Sequence, residues 1–391
     1  MPSPPTVDAL RAAVADRHPR YLAELEQLVN IDCGSYTPDG VNAVAAFAAD
    51  ALRELGAEVA RIPHAPSGDG PRLGDLVVGR IDGDGPRLLL IGHMDTVFED
   101  GTAAERPYRS DGGRAYGPGV TDMKAGLLAG LHAIAALQAL GHTPRVTFVC
   151  NPDEEIGSPF STPVIRNLAA EHDVALVLEC ARANGDIVSA RKGIADALAT
   201  FRGRAAHAGI EPERGRNAIL AAAHATIGIH ALNGRWPTAT LNVGTFQGGT
   251  RPNVVAERAE LQIDLRAAGG EELDLAWEAV AALVAAPAVP EVIATLERTA
   301  FHPPMERTPA AERLVALVQR LAGELGFAVN DAATGGASDA NTTAAAGLPT
   351  LDGLGPIGGD DHSPAEWLDL ASVVPRTTML AALIANVGEA L

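Results

Sequence analysis

The sequence predicts an α/β protein with a mostly parallel sheet that is interrupted by an inserted ferredoxin-like α+β domain. From about Gly74 to Glu179, short apolar runs alternate with Ala/Leu-rich helical stretches, a pattern typical of parallel α/β sheets. After Gly193 the order becomes strand, helix, strand, strand, helix, strand, which is typical of a ferredoxin-like unit. The first pattern resumes from Ala310, so we expect the two flanking segments to complete one domain.

The individual elements follow from the spacing of apolar residues. Before the insert we expect a helix at 124–140 and strands at 88–91, 146–150 and 174–178. Within the insert we expect helices at 217–232 and 271–285 and strands at 194–202, 241–247 and 257–266. After the insert we expect helices at 312–325 and 372–390. A chain of 391 residues is long enough for two such domains.

Composition and charge argue against several classes of protein. Hydrophobic residues make up 47% of the chain and charged residues 20%, which is the balance of a globular protein and not of a disordered one. The formal net charge of -19 would repel phosphate backbones, so we expect no nucleic-acid partner. No apolar stretch reaches the roughly 20 uninterrupted residues that a membrane span needs, so we expect no membrane partner and a soluble protein.

The beginning of the chain and its cysteines predict a cytoplasmic location. Residues 1–20 have no apolar core of signal-peptide length behind a basic start. Cys33, Cys150 and Cys180 are odd in number, far apart and outside any CxxC spacing, which argues against a disulfide framework and against a thiolate zinc cage. We expect all three to be buried or half-buried free thiols in a reducing compartment.

Polar side chains directly follow three of the expected strands. His93 follows the first, Glu154 and Glu155 follow the second, and Glu179 follows the third. Since the carboxyl ends of parallel strands meet at one edge of a sheet, where ligands bind, these side chains should converge. With Asp122 and His362 they offer the histidine and carboxylate donors that two divalent ions need when one carboxylate is shared.

Two pairs of residues that are close in sequence suggest separate roles for their members. Glu154 and Glu155 are adjacent acids that repel each other unless cations neutralise them. With metal present, Glu155 can be a ligand while Glu154 acts as the general base that takes a proton from water. His93 and Asp95 are two residues apart, on one side of an extended segment, so Asp95 is placed to hold the imidazole of a metal-bound histidine.

Taken singly, each candidate also has an ordinary structural explanation. The His93 and Asp95 pair is also the pattern of a buried, hydrogen-bonded histidine. Asp122 follows a Gly-Pro-Gly turn and heads a helix, where Asp is a preferred N-cap. The two adjacent glutamates suit a solvated loop, Glu179 a helix-terminus charge or an ion pair, and His362 a simple loop. The set as a whole is more specific than its members.

Two motifs make the chain resemble a known family. They are His-Met-Asp-Thr-Val at residues 93–97 and Ala-Tyr-Gly-Pro-Gly at residues 115–119. They match the di-zinc metallopeptidases that include bacterial glutamate carboxypeptidase, acetylornithine deacetylase, succinyl-diaminopimelate desuccinylase and aminoacylase. The resemblance covers nearly the whole chain and is closest to glutamate carboxypeptidase. The departures are Cys180, where that pattern has Pro, Ala125 in place of a common Gly, and Ala337-Ser338 in a Gly-Gly-Thr turn.

The resemblance implies a fold and a metal content. It implies a three-layer catalytic domain built from residues 1–191 and 299–391, with a lid or dimerisation domain at 192–298 between them. It also implies two Zn²⁺ per subunit, although carboxylate-rich sites accept Co²⁺ or Mn²⁺ as well. The implied assembly is a homodimer that pairs through the inserted domains.

The resemblance also assigns roles to the metal-site residues. It places His93 and Glu179 on one zinc and Glu155 and His362 on the other, with Asp122 bridging the two. Asp95 would orient His93, and Glu154 would be the general base. The peptide bond between Asp122 and Met123 is cis in the family, so we expect the same here.

A further group of residues matches positions that contact substrate in the family. His207 corresponds to a lid histidine that the second subunit presents, although a loop histidine held by its own neighbours is the plainer interpretation. Arg266 and Arg298 match positions associated with the substrate carboxylate. Asn253 matches a further lid position, and Gly336 lies in a Gly-Gly turn that lines the pocket.

The implied activity is hydrolysis of an amide bond next to a free carboxylate, as in a glutamate-carboxypeptidase-like exopeptidase acting on a small peptide. An N-acyl-amino-acid deacylase would use the same metals with a different pocket, and no residue in the sequence separates the two. An inactive scaffold of this fold should have lost Glu154 or a ligand, whereas this chain keeps all of them. A dehydrogenase is disfavoured because no Gly-x-Gly-x-x-Gly follows the first strand.

Overall fold

The computed structural model of the protein describes residues 4–66, 68 and 70–391, and the chain divides into two compact units. Unit 1 is discontinuous in sequence and consists of Met1–Ser189, Arg307–Ala333 and Ser338–Leu391. Unit 2 consists of Ala190–Glu306 together with the short segment Thr334–Ala337.

The described residues form helices and strands close to the expected positions. The helices are α1 (Val7–Val29), α2 (Pro38–Glu54), α3 (Thr102–Glu105), α4 (Ala125–Ala139), α5 (Thr162–Ala169), α6 (Ala218–Ala231), α7 (Gly270–Ala285), α8 (Pro309–Leu325), α9 (Asp339–Ala345) and α10 (Leu370–Asn386). The strands are β1 (Glu58–Ile62), β2 (Leu76–Ile81), β3 (Asp84–His93), β4 (Arg109–Ser110), β5 (Arg114–Tyr116), β6 (Pro144–Asn151), β7 (Val174–Val177), β8 (Ile187–Arg191), β9 (Gly193–Arg202), β10 (Thr240–Gly248), β11 (Arg258–Ala267), β12 (Ile293–His302), β13 (Asp331–Thr334), β14 (Thr350–Leu351), β15 (Gly358–Gly359) and β16 (Trp367–Asp369).

Unit 1 is built on a six-stranded sheet with the order β1-β2-β6-β3-β7-β14. Strands β6, β3, β7 and β14 pair in parallel, while β1 and β2 join the edge in antiparallel orientation. The expected mostly parallel sheet is therefore confirmed. A small antiparallel sheet, β15-β16-β5-β4, belongs to the same unit.

Helices cover both faces of the large sheet. Leu88 and Leu90 of β3 belong to one hydrophobic core with the buried faces of α1, α2, α4, α8 and α10. Leu89 and Ile91 are equally buried but lie outside that core, as expected from the alternation of side chains along a strand. On their side α5 contacts α9, and α9 packs on β7 and β14. Burial on both faces explains why these strands are continuous apolar runs.

Helix α4 lies close to the end of β7 because two glycines allow it. A Cβ atom on Gly126 would lie 1.8 Å from the carbonyl oxygen of Leu178, and one on Gly130 would lie 2.6 Å from the Leu178 side chain. The chain enters α4 through residues 120–124, the segment that carries Asp122. The close packing of α4 therefore brings Asp122 toward the carboxyl ends of the parallel strands.

Unit 2 is a four-stranded antiparallel sheet with two helices packed on one face. The strand order is β10-β11-β9-β12, and α6 and α7 cover a core of Ala, Leu, Ile and Val side chains. This is the strand and helix order that the sequence predicts for the insert. The boundary expected at residue 298 falls inside β12, which continues to His302, so the unit extends to Glu306.

Two helical stretches are long and apolar enough to cross a membrane by length and composition, Val120–Ala139 and Leu370–Glu389. Within an 18-residue apolar window of each stretch, 94% of the first and 67% of the second are buried, and both stretches contribute to the core of unit 1. Buried core helices have the same length and apolar composition, so these two stretches are weak evidence for a membrane span. Cys33, Cys150 and Cys180 are all buried free thiols, as the sequence predicts.

Candidate metal centre

Three adjacent strands deliver the first candidate ligands to one edge of the sheet. His93 is the last residue of β3, Glu154 and Glu155 form a short 3-10 turn after β6, and Glu179 lies two residues beyond β7. Because β6, β3 and β7 are neighbours and parallel, their carboxyl ends lie side by side. This is the convergence that the sequence predicts.

Two loops bring the remaining ligands to the same edge. Asp122 lies in the segment 120–124, where its φ of -112° and ψ of 92° interrupt the helical turn. The Asp122–Met123 peptide bond is cis, as the family resemblance implies. His362 follows β15, and both Asp360 and His362 have a positive φ, at 56° and 60°. Only the assembled fold places these residues near the three strand ends.

The five predicted metal ligands form two groups that share Asp122. In the first group, His93 Nε2 lies 3.0 Å from Asp122 Oδ1 and 3.7 Å from Glu179 Oε1. In the second group, His362 Nε2 lies 3.1 Å from Asp122 Oδ2 and 3.2 Å from Glu155 Oε2. In each group the donor atoms lie within 4.8 Å of one another. Asp122 therefore offers one oxygen to each group, as a bridging carboxylate must.

The donor chemistry fits divalent metal ions. Imidazole nitrogens and carboxylate oxygens without a thiolate are the donors of catalytic zinc sites, and they also suit manganese and cobalt. Carboxylates outnumber imidazoles in the cluster, so the side chains carry a net negative charge that cations would neutralise. Burial and the charge of Glu179 and Glu155 raise the pKa of Glu154 well above its usual range.

The carboxylates raise the pKa values of both imidazoles. Burial disfavours the charged form of His93, yet the charge of Glu179 and the hydrogen bond to Asp122 raise its pKa well above the usual value. Hydrogen bonds to Asp122 and Glu155 raise the pKa of His362 to about 11. Burial opposes ionisation of Asp122, but its hydrogen bonds to His362 and His93 lower its pKa. The cluster thus binds positive charge strongly.

Asp95 has a different set of contacts from the one that the sequence predicts. Its carboxylate lies 3.5 Å from His93 Nδ1, while the closer contact of that nitrogen, at 2.9 Å, is with the backbone carbonyl of Asp95. The carboxylate oxygens instead accept the backbone N–H groups of Glu154 at 3.1 Å and Glu155 at 3.2 Å. Ser35 Oγ donates to the same carboxylate at 2.6 Å. Asp95 therefore also fixes the backbone of the two adjacent glutamates.

Glu366 is a residue of the site that the sequence does not reveal. Its side chain is buried, and its carboxylate accepts the backbone N–H groups of Gly119, Thr121 and Asp122. Burial raises the pKa of Glu366 to about 7, against the opposing effect of these three hydrogen bonds. Its only sequence signal is its position four residues after His362, and that spacing has no meaning outside a helix.

Unit 2 holds the predicted lid residues His207 and Asn253. His207 forms an isolated bridge with Val254, and the backbone N–H of Ala208 donates to the Asn253 carbonyl at 3.0 Å. His207 is exposed, and its Nδ1 accepts the Gly209 N–H at 3.1 Å. The described residues provide no hydrogen-bond partner for its Nε2. His207 is thus held by its own loop, with one ring nitrogen left for a ligand.

The two predicted substrate arginines lie on opposite faces of the unit 2 sheet. Arg266 pairs across β11 and β9 with half-exposed Ile194, whereas Arg298 pairs across β12 and β9 with Ala197, which is buried in the helix-covered core. Cross-strand partners share a face. The structure therefore does not bring the two arginines together on one carboxylate.

Their partners also differ. Arg298 stacks on the rings of Trp277 and Phe301, at 4.0 and 4.7 Å from its guanidinium carbon. Arg266 makes two-pronged contacts with Asp264 and donates to the carbonyl of Gly335 at 2.8 Å. The neighbouring Gly336 carbonyl accepts from Arg191 at 3.1 Å. Of the two arginines, Arg266 is the one joined to the predicted Gly-Gly turn.

Comparison with known proteins places the chain in a family. The profile of peptidase family M20/M25/M40 matches residues 89–386, which is more than half of the chain. Carboxypeptidase G2 of a Pseudomonas species is 33% identical over 390 residues, covering 97% of this chain and 92% of that protein. Succinyl-diaminopimelate desuccinylase of Gluconacetobacter diazotrophicus is 29% identical over 371 residues, covering 90% and 93%.

Solved structures agree on the fold. The crystal structure of a Staphylococcus aureus tripeptidase aligns with a TM-score of 0.78 at 23% identity, covering 95% of this chain and 99% of that one. The two relatives cover 97% and 90% of the chain, and the metal-site side chains converge as the resemblance implies. The chain therefore belongs to peptidase family M20/M25/M40 and is a metal-dependent hydrolase of that family.

Proposed function

We propose that the protein is a two-zinc exopeptidase that cleaves an amide bond next to a free carboxylate on a small peptide. The observation that carries the proposal is the position of Asp122, whose two oxygens lie 3.0 Å from His93 Nε2 and 3.1 Å from His362 Nε2. A carboxylate shared in this way between two ligand groups is what a two-metal hydrolase requires. The near full-length similarity to carboxypeptidase G2 supports the reaction type.

Each zinc would have three ligands from the chain. His93, Asp122 and Glu179 would hold one ion, and Asp122, Glu155 and His362 the other. When bound, such ions polarise the carbonyl of the amide and make water more acidic.

Glu154 is the residue that we assign as general base. It is adjacent to Glu155, is half-buried, and its carboxylate makes no hydrogen bond with the described residues. Asp95 holds its backbone N–H at 3.1 Å, so the side chain starts from a fixed position. The carboxylate is therefore available to take a proton from water and to pass it to the leaving amine. Either transfer requires a group that is not already committed to another partner.

Metal analysis combined with a substrate panel tests this proposal. Purified protein should contain two equivalents of zinc, lose activity with a chelator and regain it with zinc. It should hydrolyse folyl-glutamate or dipeptides that carry a free C-terminal carboxylate, and should not cleave the same compounds once that carboxylate is amidated. Activity of fully metal-free protein, or equal cleavage of the amidated compounds, would refute the proposal.

An N-acyl-amino-acid deacylase is the second candidate. The similarity to succinyl-diaminopimelate desuccinylase over 90% of the chain supports it, and the metal centre would be the same. N-acetyl and N-succinyl amino acids in the same panel separate the two functions. The larger value of kcat/KM identifies the substrate class, since both classes would share the general base and the metals.

We further propose a homodimer that pairs through unit 2. Strand β10 is an edge strand with β11 as its neighbour, and the adjacent helix α6 exposes Ile219, Leu220 and Ile227. An open strand edge beside exposed apolar side chains is a surface that a second copy can cover. Light scattering should give twice the chain mass of 40.3 kDa, and Ile227→Asp should shift the protein toward the monomer.

A cytoplasmic location is also proposed. Three buried free thiols suit a reducing compartment. Fractionation of the native host, with the protein in the soluble cytoplasmic fraction as the expected result, tests the proposal.

A further inference from the structure

The segment that carries Asp122 is held from one side by a single buried carboxylate. Glu366 accepts the backbone N–H of Gly119 on one oxygen at 2.9 Å and those of Thr121 and Asp122 on the other at 2.8 and 3.1 Å. The side chain is 1% exposed. Within the described residues it has no cationic partner. Three N–H groups of one loop therefore converge on one buried carboxyl group.

A buried cation holds the same loop through its carbonyl groups. Lys124 is also 1% exposed, and its Nζ donates to the carbonyl of Pro118 at 3.0 Å and to that of Ile31 at 3.2 Å. The part of the chain that the structure describes provides no ion pair for Lys124. Unpaired buried charges cost several kcal/mol each. These two residues therefore serve a purpose other than stabilising the turn.

Their shared effect is to fix the position of Asp122. The loop bends at Gly117 and Gly119, which have φ values of 142° and 71°, and leaves the helical conformation at Asp122 itself. Within the loop, the backbone N–H groups of Val120 and Lys124 donate to the carbonyls of Gly117 and Gly119 at 3.2 and 3.1 Å, and neither of these bonds uses the N–H of Asp122. Glu366 bonds the N–H of Asp122 and Lys124 holds the preceding turn, so the two oxygens of Asp122 are presented in a defined direction.

Glu366 also connects Asp122 with a second ligand. It lies four residues after His362 in the loop that ends at β16, and His362 shares its metal group with Asp122 and Glu155. The carboxylate thus ties the His362 loop to the Asp122 loop. In the other metal group, His93 is the end of a strand and Glu179 follows one, so that group depends less on this connection.

We propose that Glu366, assisted by Lys124, is a positioning residue that sets the geometry of the metal group formed by Asp122, Glu155 and His362. This inference rests on the proposed function, because it assumes two metal ions. It predicts that Glu366 affects mainly the affinity for one of the two ions and has little effect on substrate binding.

Glu366→Gln tests the assignment with little change in volume. Its amide nitrogen cannot accept an N–H group, so at least one of the three loop contacts is lost. We expect the affinity for one Co²⁺ or Zn²⁺ equivalent to fall roughly 10 to 100-fold, as for other groups that hold metal ligands in place, and the other equivalent to change less than about 3-fold. Titration against a chromophoric chelator measures both affinities without reference to activity. The visible absorption of the Co²⁺ protein should change, and kcat should fall with little change in KM.

Two further variants keep the test decisive. Glu366→Asp retains the charge with a shorter reach and should recover part of the lost metal affinity, and it serves as the main variant if Glu366→Gln does not fold. Glu24→Gln is the matched control, because Glu24 binds His132 and Arg20 in unit 1 away from the metal ligands. It should lower the melting temperature and leave both metal affinities unchanged.

The outcomes separate this inference from the proposed function. If wild-type protein binds fewer than two metal ions, the proposed function fails. If wild-type protein binds two and the Glu366 variants bind both with unchanged affinity, or lose both equally, Glu366 is only a structural residue and the inference is overturned.

Discussion

The carboxylate of Asp95 accepts the backbone N–H of Glu154 at 3.1 Å, so the assigned general base is held by a residue that lies two positions beyond the end of the neighbouring strand β3. The two carboxylate oxygens of Asp95 accept the N–H groups of Glu154 and Glu155. Asp95→Asn should disturb these contacts, because an Asn side chain has only one acceptor oxygen. We expect a roughly 10 to 100-fold loss of kcat in a folded protein. Ser35→Ala, which removes only the donor to Asp95, should cost less. An Asp95→Asn enzyme with wild-type kcat would show that the contact is unimportant.

Metal content provides the second prediction. A crystal structure of zinc-replete protein should show two ions about 3.5 to 4 Å apart, both in contact with Asp122. Asp122→Ala should reduce the affinity for both ions, whereas His362→Ala should reduce mainly that for one, because His362 belongs to only one ligand group. Elemental analysis after dialysis measures the difference. Retention of two equivalents by Asp122→Ala would rule out a bridging role.

The third prediction concerns Glu154→Gln. The glutamine cannot take a proton from water, so turnover should fall by at least about 100 to 10,000-fold, the usual contribution of a general base. Both metal ions should remain, since Glu154 lies outside the two ligand groups. Rates and elemental analysis on the same preparation test both statements. Normal turnover with unchanged metal content would remove Glu154 from the mechanism.

The fourth prediction concerns His207. We propose that its imidazole hydrogen-bonds the oxyanion that forms on the substrate, and that it reaches the centre of the partner subunit. His207→Ala and Glu154→Gln should each be inactive alone. Co-expression with two different tags allows the mixed dimer to be isolated, and one of its two sites then has both residues intact. We expect about half of the wild-type activity per mixed dimer from the two-fold symmetry. A histidine that acts within its own chain would leave the mixed dimer inactive.

The fifth prediction separates the two arginines of unit 2. Arg266→Ala should raise KM for a substrate with a free carboxylate by about 10-fold or more, because a charge-assisted contact would be lost. Arg298→Ala should leave KM nearly unchanged and lower the free energy of unfolding by about 1 kcal/mol, since its guanidinium stacks on Trp277 and Phe301. Steady-state kinetics and urea unfolding measure the two effects. The opposite pattern would make Arg298 the substrate residue.

The sequence predicts the fold and the metal ligands well because both follow from local patterns. Continuous apolar runs mark strands buried on both faces, and His93 and Glu155 follow such runs directly. The topology of parallel strands then brings distant residues to one edge. Asp122 and His362 lie on loops, and their assignment to particular metal ions rests on the family resemblance, because periodicity carries no information about loop conformation.

The remaining contacts could not be predicted for two physical reasons. Glu366 acts through backbone N–H groups, which every residue but proline has, and its contact with Asp122 spans 244 positions of sequence. The position of Arg298 depends on a register shift between Arg298 and Ala300 in β12. A bulge interrupts the alternation of side chains between the two faces of a strand. The faces of residues on the two sides of the bulge therefore cannot be deduced from the sequence by simple alternation.

The discontinuous sequence of unit 1 has a consequence for the synthesis of the protein. Four of the five ligands are translated before unit 2, whereas His362 and Glu366 lie in the last segment of the chain. A nascent chain whose His93, Asp122 and Glu179 have already left the ribosome still lacks the ligand His362. Domains fold as units during translation, so unit 2 can fold first while unit 1 awaits its final strands and helices. The ability to hydrolyse peptides would then arise only after the segment that carries His362 has been translated.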